Sequence, residues 1–283
     1  MTRARVASPI VAIALGALIA LRSSALDARG AAVAYAPSFV AWMIGVSLDR
    51  AWPTRPLGAR WLAWLGVAAI ATSFIFSGAL GVHRWLELGP IRLHASAAFG
   101  PLVLVGLTGS DDRPSLEGLF TVLVAQSLHA LQPDGAQSMA LACAALPLLA
   151  RRGARANVTA AALVVLAVVA WRRPDPLPPL AHVEGTWLRA AALGPAWLAS
   201  ALGSIAFLVL TLVRSSATTR HALAAAGWLV GASVASTLGA FPVPLLGAGA
   251  APVLGFFVLA QVMGRQSQPI SPPLSSTKRS SDT

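Results

Sequence analysis

Cysteine is nearly absent from this chain. Cys143 stands alone inside an apolar run, which excludes a disulfide frame and a cysteine-based metal site and leaves it a packing role. Charge is scarce too: 11% of the 283 residues are Asp, Glu, Lys or Arg, against 56% apolar residues, and the mean hydropathy is +0.71. A soluble domain so apolar could not cover its surface, whereas a bilayer asks for roughly 20 apolar residues per helical span. The fold class read from this is all-α, a polytopic integral membrane protein. The net charge of +11 does not signal nucleic acid, because the arginines fall in small groups beside apolar runs and form no binding face. The glycines of 247–251 are no phosphate loop, since no Lys-Ser or Lys-Thr follows them; small residues there suit close helix packing.

Apolar runs cover about 1–21, 31–48, 61–82, 95–109, 116–131, 136–149, 158–171, 186–213, 222–239 and 243–263, which predicts about ten transmembrane helices. The first carries Arg3 and Arg5 ahead of its apolar stretch but no small-x-small cleavage site follows, so it reads as a retained helix. Residues 1–265 form a single membrane domain, and the Ser/Pro-rich tail 266–283 is expected to be disordered and cytoplasmic. With the N-terminus inside, the cytoplasmic segments hold fourteen Lys and Arg and the outer segments six, Arg22, Arg29, Arg84, Arg92, Arg172 and Arg173, with Arg189 near the start of a span. The positive-inside rule then gives N-in, C-in. A reporter fused after Pro179 is expected to be exported, and a cytoplasmic signal there would refute this map.

The most polar connection is WRRPDPLPPLAHVEG, residues 171–185. Pro174, Pro176, Pro178 and Pro179 rule out a regular helix and favour a stiff extended path. Asp175, His182 and Glu184 are thereby held outside the membrane interior, on the same face as HRWLELGPIRLH (83–94), read as an interfacial connection, and Gln132-Pro133-Asp134. His182 and Glu184 form an H-x-E pair, but no Cys or His cluster accompanies them, so no metal site is assigned. Asp134 reads equally well as a ligand-contacting acid and as the cap of a plain turn.

Four of these stretches carry a resemblance. HRWLELGPIRLHAS resembles the R-R-W-I-x-L-G and Q-P-S-E-x-x-K region of the SEDS family of shape, elongation, division and sporulation proteins. Leu131-Gln132-Pro133-Asp134-Gly135 is similar to its L-Q-P-D-L-G-T, Leu180 to Glu184 to its P-E-x-H-T-D-F, and Gly239 to Pro244 to its G-L-L-P-V-T-G. All four occur in family order within a ten-span layout. There are departures. Ala97 stands where the family has the glutamate of Q-P-S-E, Gly100 stands near its lysine, the large outer loop is reduced to RRPDPLPP, and the closing P-x-I-S-Y-G-G-S has become GAGAAPVLGFF.

The resemblance implies an inner-membrane protein of bacterial cell-wall synthesis, cell shape or division that polymerises lipid-linked disaccharide into peptidoglycan beside a class B penicillin-binding protein. In the family the aspartate of H-T-D-F is the proposed catalytic residue, and Glu184 occupies that position. A carboxylate can take the proton of an attacking sugar hydroxyl, while a diphosphate leaving group needs positive charge from arginine or a divalent cation. Substrate-binding candidates are Arg84, Arg92, Asp134, Arg172, Arg173 and His182, with His182 and Arg172 or Arg173 expected near Glu184. No cofactor is named beyond such a cation. Interfacial arginines also contact membrane lipids. Gly227, Gly231 and the stretch 233–236 offer a small-residue face for a partner's single helix. Two other readings stand beside the enzyme. The missing ion pair and trimmed loop favour a non-catalytic scaffold; a transporter or lipid-handling protein fits less well, since the span interiors are nearly all Ala, Leu, Val and Gly and no internal repeat is evident.

Overall fold

The computed structural model describes residues 2–51, 59–89, 91–108, 114–180 and 182–264. The expected disordered tail and most of the basic connector after the second span lie outside them. Among the described residues eleven helices run in the order α1 Arg3–Arg22, α2 Ala28–Ala51, α3 Ala59–Thr72, α4 Ala95–Val103, α5 Leu116–Leu131, α6 Gly135–Leu149, α7 Ala154–Arg172, α8 Thr186–Leu193, α9 Pro195–Ser215, α10 Thr219–Leu238 and α11 Ala250–Gly264. Five of them, α1, α2, α7, α9 and α10, are long and apolar enough to cross a membrane by length and composition, and five shorter apolar segments accompany them. The chain is a helical polytopic membrane protein.

The apolar runs and the helices differ in three places. The third run leaves the helix after a short 3-10 turn at Ser73–Ile75. The eighth is divided into α8 and α9 at Gly194, whose φ of 122° suits only glycine, and Pro195 opens the next helix at a position where its missing N–H costs nothing. The tenth becomes helical only at Ala250; prolines at 242 and 244 keep the preceding segment extended or turned. The connection read as interfacial is a β-hairpin, β1 Trp85–Leu88 and β2 Ile91–His94, with Trp85 opposite His94 and Glu87 opposite Arg92. Its alternation of apolar and polar residues about a Gly-Pro turn is the pattern of a half-buried strand pair.

α6 lies at the centre, packed along α10 and flanked by α5 and α7, while α11 packs on α4 and α2. Gln126 ties three of these helices together by donating to the carbonyls of Ser138 (3.1 Å) and Leu163 (3.0 Å). The outward residues of α2, α7 and α9 are large and apolar, among them Val33, Met43, Val165, Val168 and Leu202, as a lipid-facing surface requires. The small-residue face of α10 is not open to a partner helix. A Cβ at Gly227 would overlap the carbonyl of Cys143, and one at Gly231 would crowd Ala140 and Met139, so α6 already occupies it.

The ends of the bundle are separately tied. At one end Arg5 of α1 pairs with Asp49 of α2 at 3.2 Å and donates to the Ala260 carbonyl of α11 at 3.1 Å. At the other end the hairpin, the 132–134 turn, the proline-rich loop and the 239–249 segment converge. Close approach of α4 and α11 makes this convergence possible: a Cβ at Gly255 would overlap the carbonyl oxygen of Ala97. Backbone cannot give way as a flexible side chain can. Gly255→Ala is therefore expected to lower stability by about 1–3 kcal/mol, read as a lower thermal midpoint of the purified protein in detergent, with Gly203→Ala, which has open space, as the neutral control.

Candidate functional site

The four loops enclose a cavity of about 230 Å³. Its polar lining is Arg84, Arg92, His94, Asp134, Gln137, Asp175 and Glu184; its apolar lining includes Trp85, Trp228, Leu229, Phe241 and Phe256.

The Glu184 turn is set by its own backbone. After the prolines, the Leu180 carbonyl accepts the N–H groups of Val183 (3.0 Å) and Glu184 (2.9 Å), and the Leu180 N–H donates to Glu184 Oε2 at 2.8 Å. Glu184 bridges in antiparallel fashion to Pro242. Its carbonyl accepts from Arg189, which reaches back from α8 past Gly185, a glycine in left-handed conformation at φ 69°. Burial pushes the Glu184 carboxyl up from the usual glutamate range; Asp175 adds to this, while the Leu180 N–H, Arg84 and Arg189 pull the other way.

Arg84 is 5% exposed. Its Nε donates to the Gln132 carbonyl at 3.3 Å, and its Nη2 reaches the Pro133 carbonyl at 2.5 Å and Asp175 Oδ2 at 2.8 Å. Its guanidinium also lies 6.0 Å from the centre of the Phe241 ring. One buried side chain thus binds three of the converging loops together.

Asp134 caps α6 by accepting the Gln137 N–H on Oδ1 at 3.2 Å, and its Oδ2 lies 3.5 Å from His94 Nε2. Of the two readings left open by the sequence, the cap is observed, and the same residue lines the cavity. His94 Nδ1 accepts the Ala97 N–H at 3.3 Å as the cap of α4, which puts the imidazole proton on Nε2, toward Asp134. Burial lowers the His94 pKa, against the pull of Asp134. Burial alone would raise the Asp134 carboxyl; His94, Arg84 and the Gln137 N–H hold it below the ordinary carboxylate range.

The other expected site residues are distributed more widely. Arg92 lies at the mouth, its side chain 63% exposed and 3.7 Å from Glu87 across the hairpin. Arg173 caps α5, donating to the carbonyls of Ala130 (2.8 Å) and Leu131 (3.0 Å). Arg172 is exposed at the end of α7. His182 does not line the cavity; its carbonyl accepts the Ala248 N–H at 3.3 Å and joins the loop to the segment before α11. The residues that act on Glu184 are therefore Arg189, Arg84 and Asp175 in place of His182, Arg172 and Arg173. Sequence reasoning missed His94, Gln137 and Trp85 in the wall and Arg189 behind the turn. His94 and Trp85 could have been found from strand alternation, which puts them opposite each other; Arg189, five residues beyond Glu184, carried no such signal.

Where the resembled pattern has its glutamate and lysine, the cavity is apolar. Ala97 lines it, and a Cβ at Gly100 would come within 2.8 Å of the Trp228 ring. Among the described residues no group of three or more His, Cys, Asp or Glu is placed to hold a metal ion. Arg84 lines the same cavity and pairs with Asp175, so its positive charge stands where a divalent cation would and no step is derived through one.

No protein-family model and no curated protein sequence matches the chain. Solved structures do. The crystal structure of the rod shape determining protein RodA of Thermus thermophilus aligns with a TM-score of 0.62 over 92% of this chain and 94% of that one, at 17% identity. An aspartate-to-alanine mutant of the same protein aligns with a TM-score of 0.64, covering 92% and 95%, again at 17% identity. Over 92% of its length, this chain shares the RodA fold.

Proposed function

We propose that the chain is a SEDS-like protein of bacterial cell-wall synthesis in the inner membrane, polymerising lipid-linked disaccharide into peptidoglycan. The observation that carries this reading is the position of Glu184, at the wall of a cavity with polar and apolar sides in a chain that follows the RodA fold over 92% of its length. In the step proposed, Glu184 accepts the proton of the attacking sugar hydroxyl as its oxygen bonds to the anomeric carbon. The bond from that carbon to the diphosphate breaks, and the diphosphate leaves with the electron pair. Arg92 at the mouth offers charge to the leaving group, and Arg84 and Arg189 hold the turn that aims the carboxylate. The apolar wall accommodates the start of the lipid chain.

The partner in this reading is a class B penicillin-binding protein, whose single helix seats in the apolar groove between α9 and α10. Trp187, Leu198, Leu202, Ile205, Val230 and Val234 line that groove. Purified protein with such a partner is expected to convert lipid-linked disaccharide to glycan chains, measured by electrophoresis of labelled product. No glycan from a well-folded pair would sink the enzyme. The apolar replacement at Ala97 and Gly100 favours a scaffold as the second reading, in which the pair forms without polymerising.

A further inference from the structure

The start of α6 contributes two buried acceptors to the cavity wall for which the protein supplies no donor. Asp134 is 1% exposed and Gln137 9%, both line the cavity, and neither Asp134 Oδ2 nor Gln137 Oε1 has a hydrogen-bond partner among the described residues. The 3.5 Å separation from His94 Nε2 is too long to satisfy Oδ2. An acceptor left so is costly, and native proteins leave few of them. We infer that this wall is a binding subsite for the hydroxyl and amide N–H groups of a sugar, an inference that rests on the reading of the cavity as a lipid-linked saccharide site.

The surroundings choose among donors. A metal or ammonium ion would meet Arg84, which lines the same cavity and acts electrostatically on Asp134, so neutral donors fit better than a cation. The Gln137 side-chain amide both accepts and donates, and so suits adjacent hydroxyls whichever way it turns. Trp85 lines the wall beside them, its ring 6.1 Å from that of His94 and edge-on to it, and supplies an apolar face for the C–H side of a pyranose ring. Carboxylate, amide and indole together match a ring bearing hydroxyls and an N-acetyl group. Glu184 lines the same cavity, so a sugar gripped here has its reacting end within one enclosure with the base.

The test compares two probes on the purified full chain in detergent: a short polyprenyl diphosphate carrying one N-acetylated hexosamine, and the same lipid without the sugar. Binding is read by tryptophan fluorescence. The wild type is expected to bind the sugar-bearing probe about tenfold more tightly, the worth of one or two hydrogen bonds. Gln137→Leu should bring the two probes within about twofold by loosening only the sugar-bearing one, and Trp85→Leu, measured in parallel, should weaken the same probe selectively. Equal wild-type affinities overturn the subsite, as does a sugar preference unchanged in both variants. Failure of both probes to bind the folded wild type overturns the proposed function itself, and the subsite with it. Should one variant fail to fold, the wild-type ratio and the other variant still decide.

Discussion

Glu184→Gln is expected to lower glycan formation by on the order of 100- to 10,000-fold, the usual worth of a positioned base, without unfolding the turn. Glutamine keeps a side-chain oxygen to accept the Leu180 N–H, which meets Glu184 Oε2 at 2.8 Å in the wild type, and the backbone bonds of the turn do not involve the carboxylate. What is lost is the ability to take a proton. A base works in its ionised form, and burial, with Asp175 beside it, raises the Glu184 pKa. Wild-type rate should therefore climb with pH through a midpoint above the usual glutamate range and level off once the group is ionised. Asp175→Asn removes one of the two raising influences while keeping an oxygen for the Leu177 N–H, which now donates to Asp175 Oδ1 at 3.2 Å. It should move the midpoint to lower pH and leave most of the plateau rate. A pH–rate profile of the three purified proteins checks both statements; glycan formation by Glu184→Gln equal to wild type would remove Glu184 from the chemistry.

This arrangement also answers a question raised by the residue itself. A glutamate in place of an aspartate carries its carboxylate about one methylene further, and a misplacement of about 1 Å can cost on the order of 100-fold. The turn folds the carboxylate back onto Leu180, and Arg189 fixes the Glu184 carbonyl from behind; in the proposed reading this offsets the added methylene. The shortened proline loop is part of the device, since it delivers Leu180 in an extended path directly before the turn.

Much of the architecture was legible in the chain. Hydrophobic runs alone locate the helices, because a membrane span has no other way to satisfy its backbone, and the prolines of 174–179 mark a segment that cannot be helical. The breaks at Gly194 and before Ala250 were harder to see, because the residues around them are as apolar as any span and only backbone conformation distinguishes them. For the site, Glu184 and Asp134 were identifiable as carboxylates at span ends. Their neighbours were not: a resemblance places residues along the chain, whereas the partners of Glu184 come from 84, 175 and 189, brought together by the folding of the hairpin, the proline-rich loop and α8. The small-residue face of α10 shows the same limit. Gly227 and Gly231 correctly signal close packing, but a single sequence does not say whether the helix that approaches belongs to a partner or, as here, to the same chain.

Arg84 gives the sharpest separation between a ligand-binding arginine and a structural one. If its role were only to meet a diphosphate, Arg84→Met would weaken substrate binding and leave the folded chain as stable as before. The structure predicts otherwise. Methionine preserves much of the apolar stem but removes the guanidinium that lies over the Phe241 ring and every donor with it, so the carbonyls of Gln132 and Pro133 lose their partner and Asp175 loses its cation. Two orphaned carbonyls cost about 1–3 kcal/mol each when water cannot reach them, and a stranded carboxylate about 3–5 kcal/mol when fully buried. Asp175 keeps 25% of its side chain exposed, so its charge can turn to water and its share falls well below that range. A loss of about 3 kcal/mol is the expected net effect, visible as a lower thermal midpoint in detergent with no substrate present. Adding Asp175→Asn should restore part of it, because the stranded charge is then gone and the Leu177 N–H keeps an acceptor, while the two carbonyls remain unpaired. An Arg84→Met protein that melts with the wild type, or a double variant no more stable than the single, would show that the three loops hold together without this side chain.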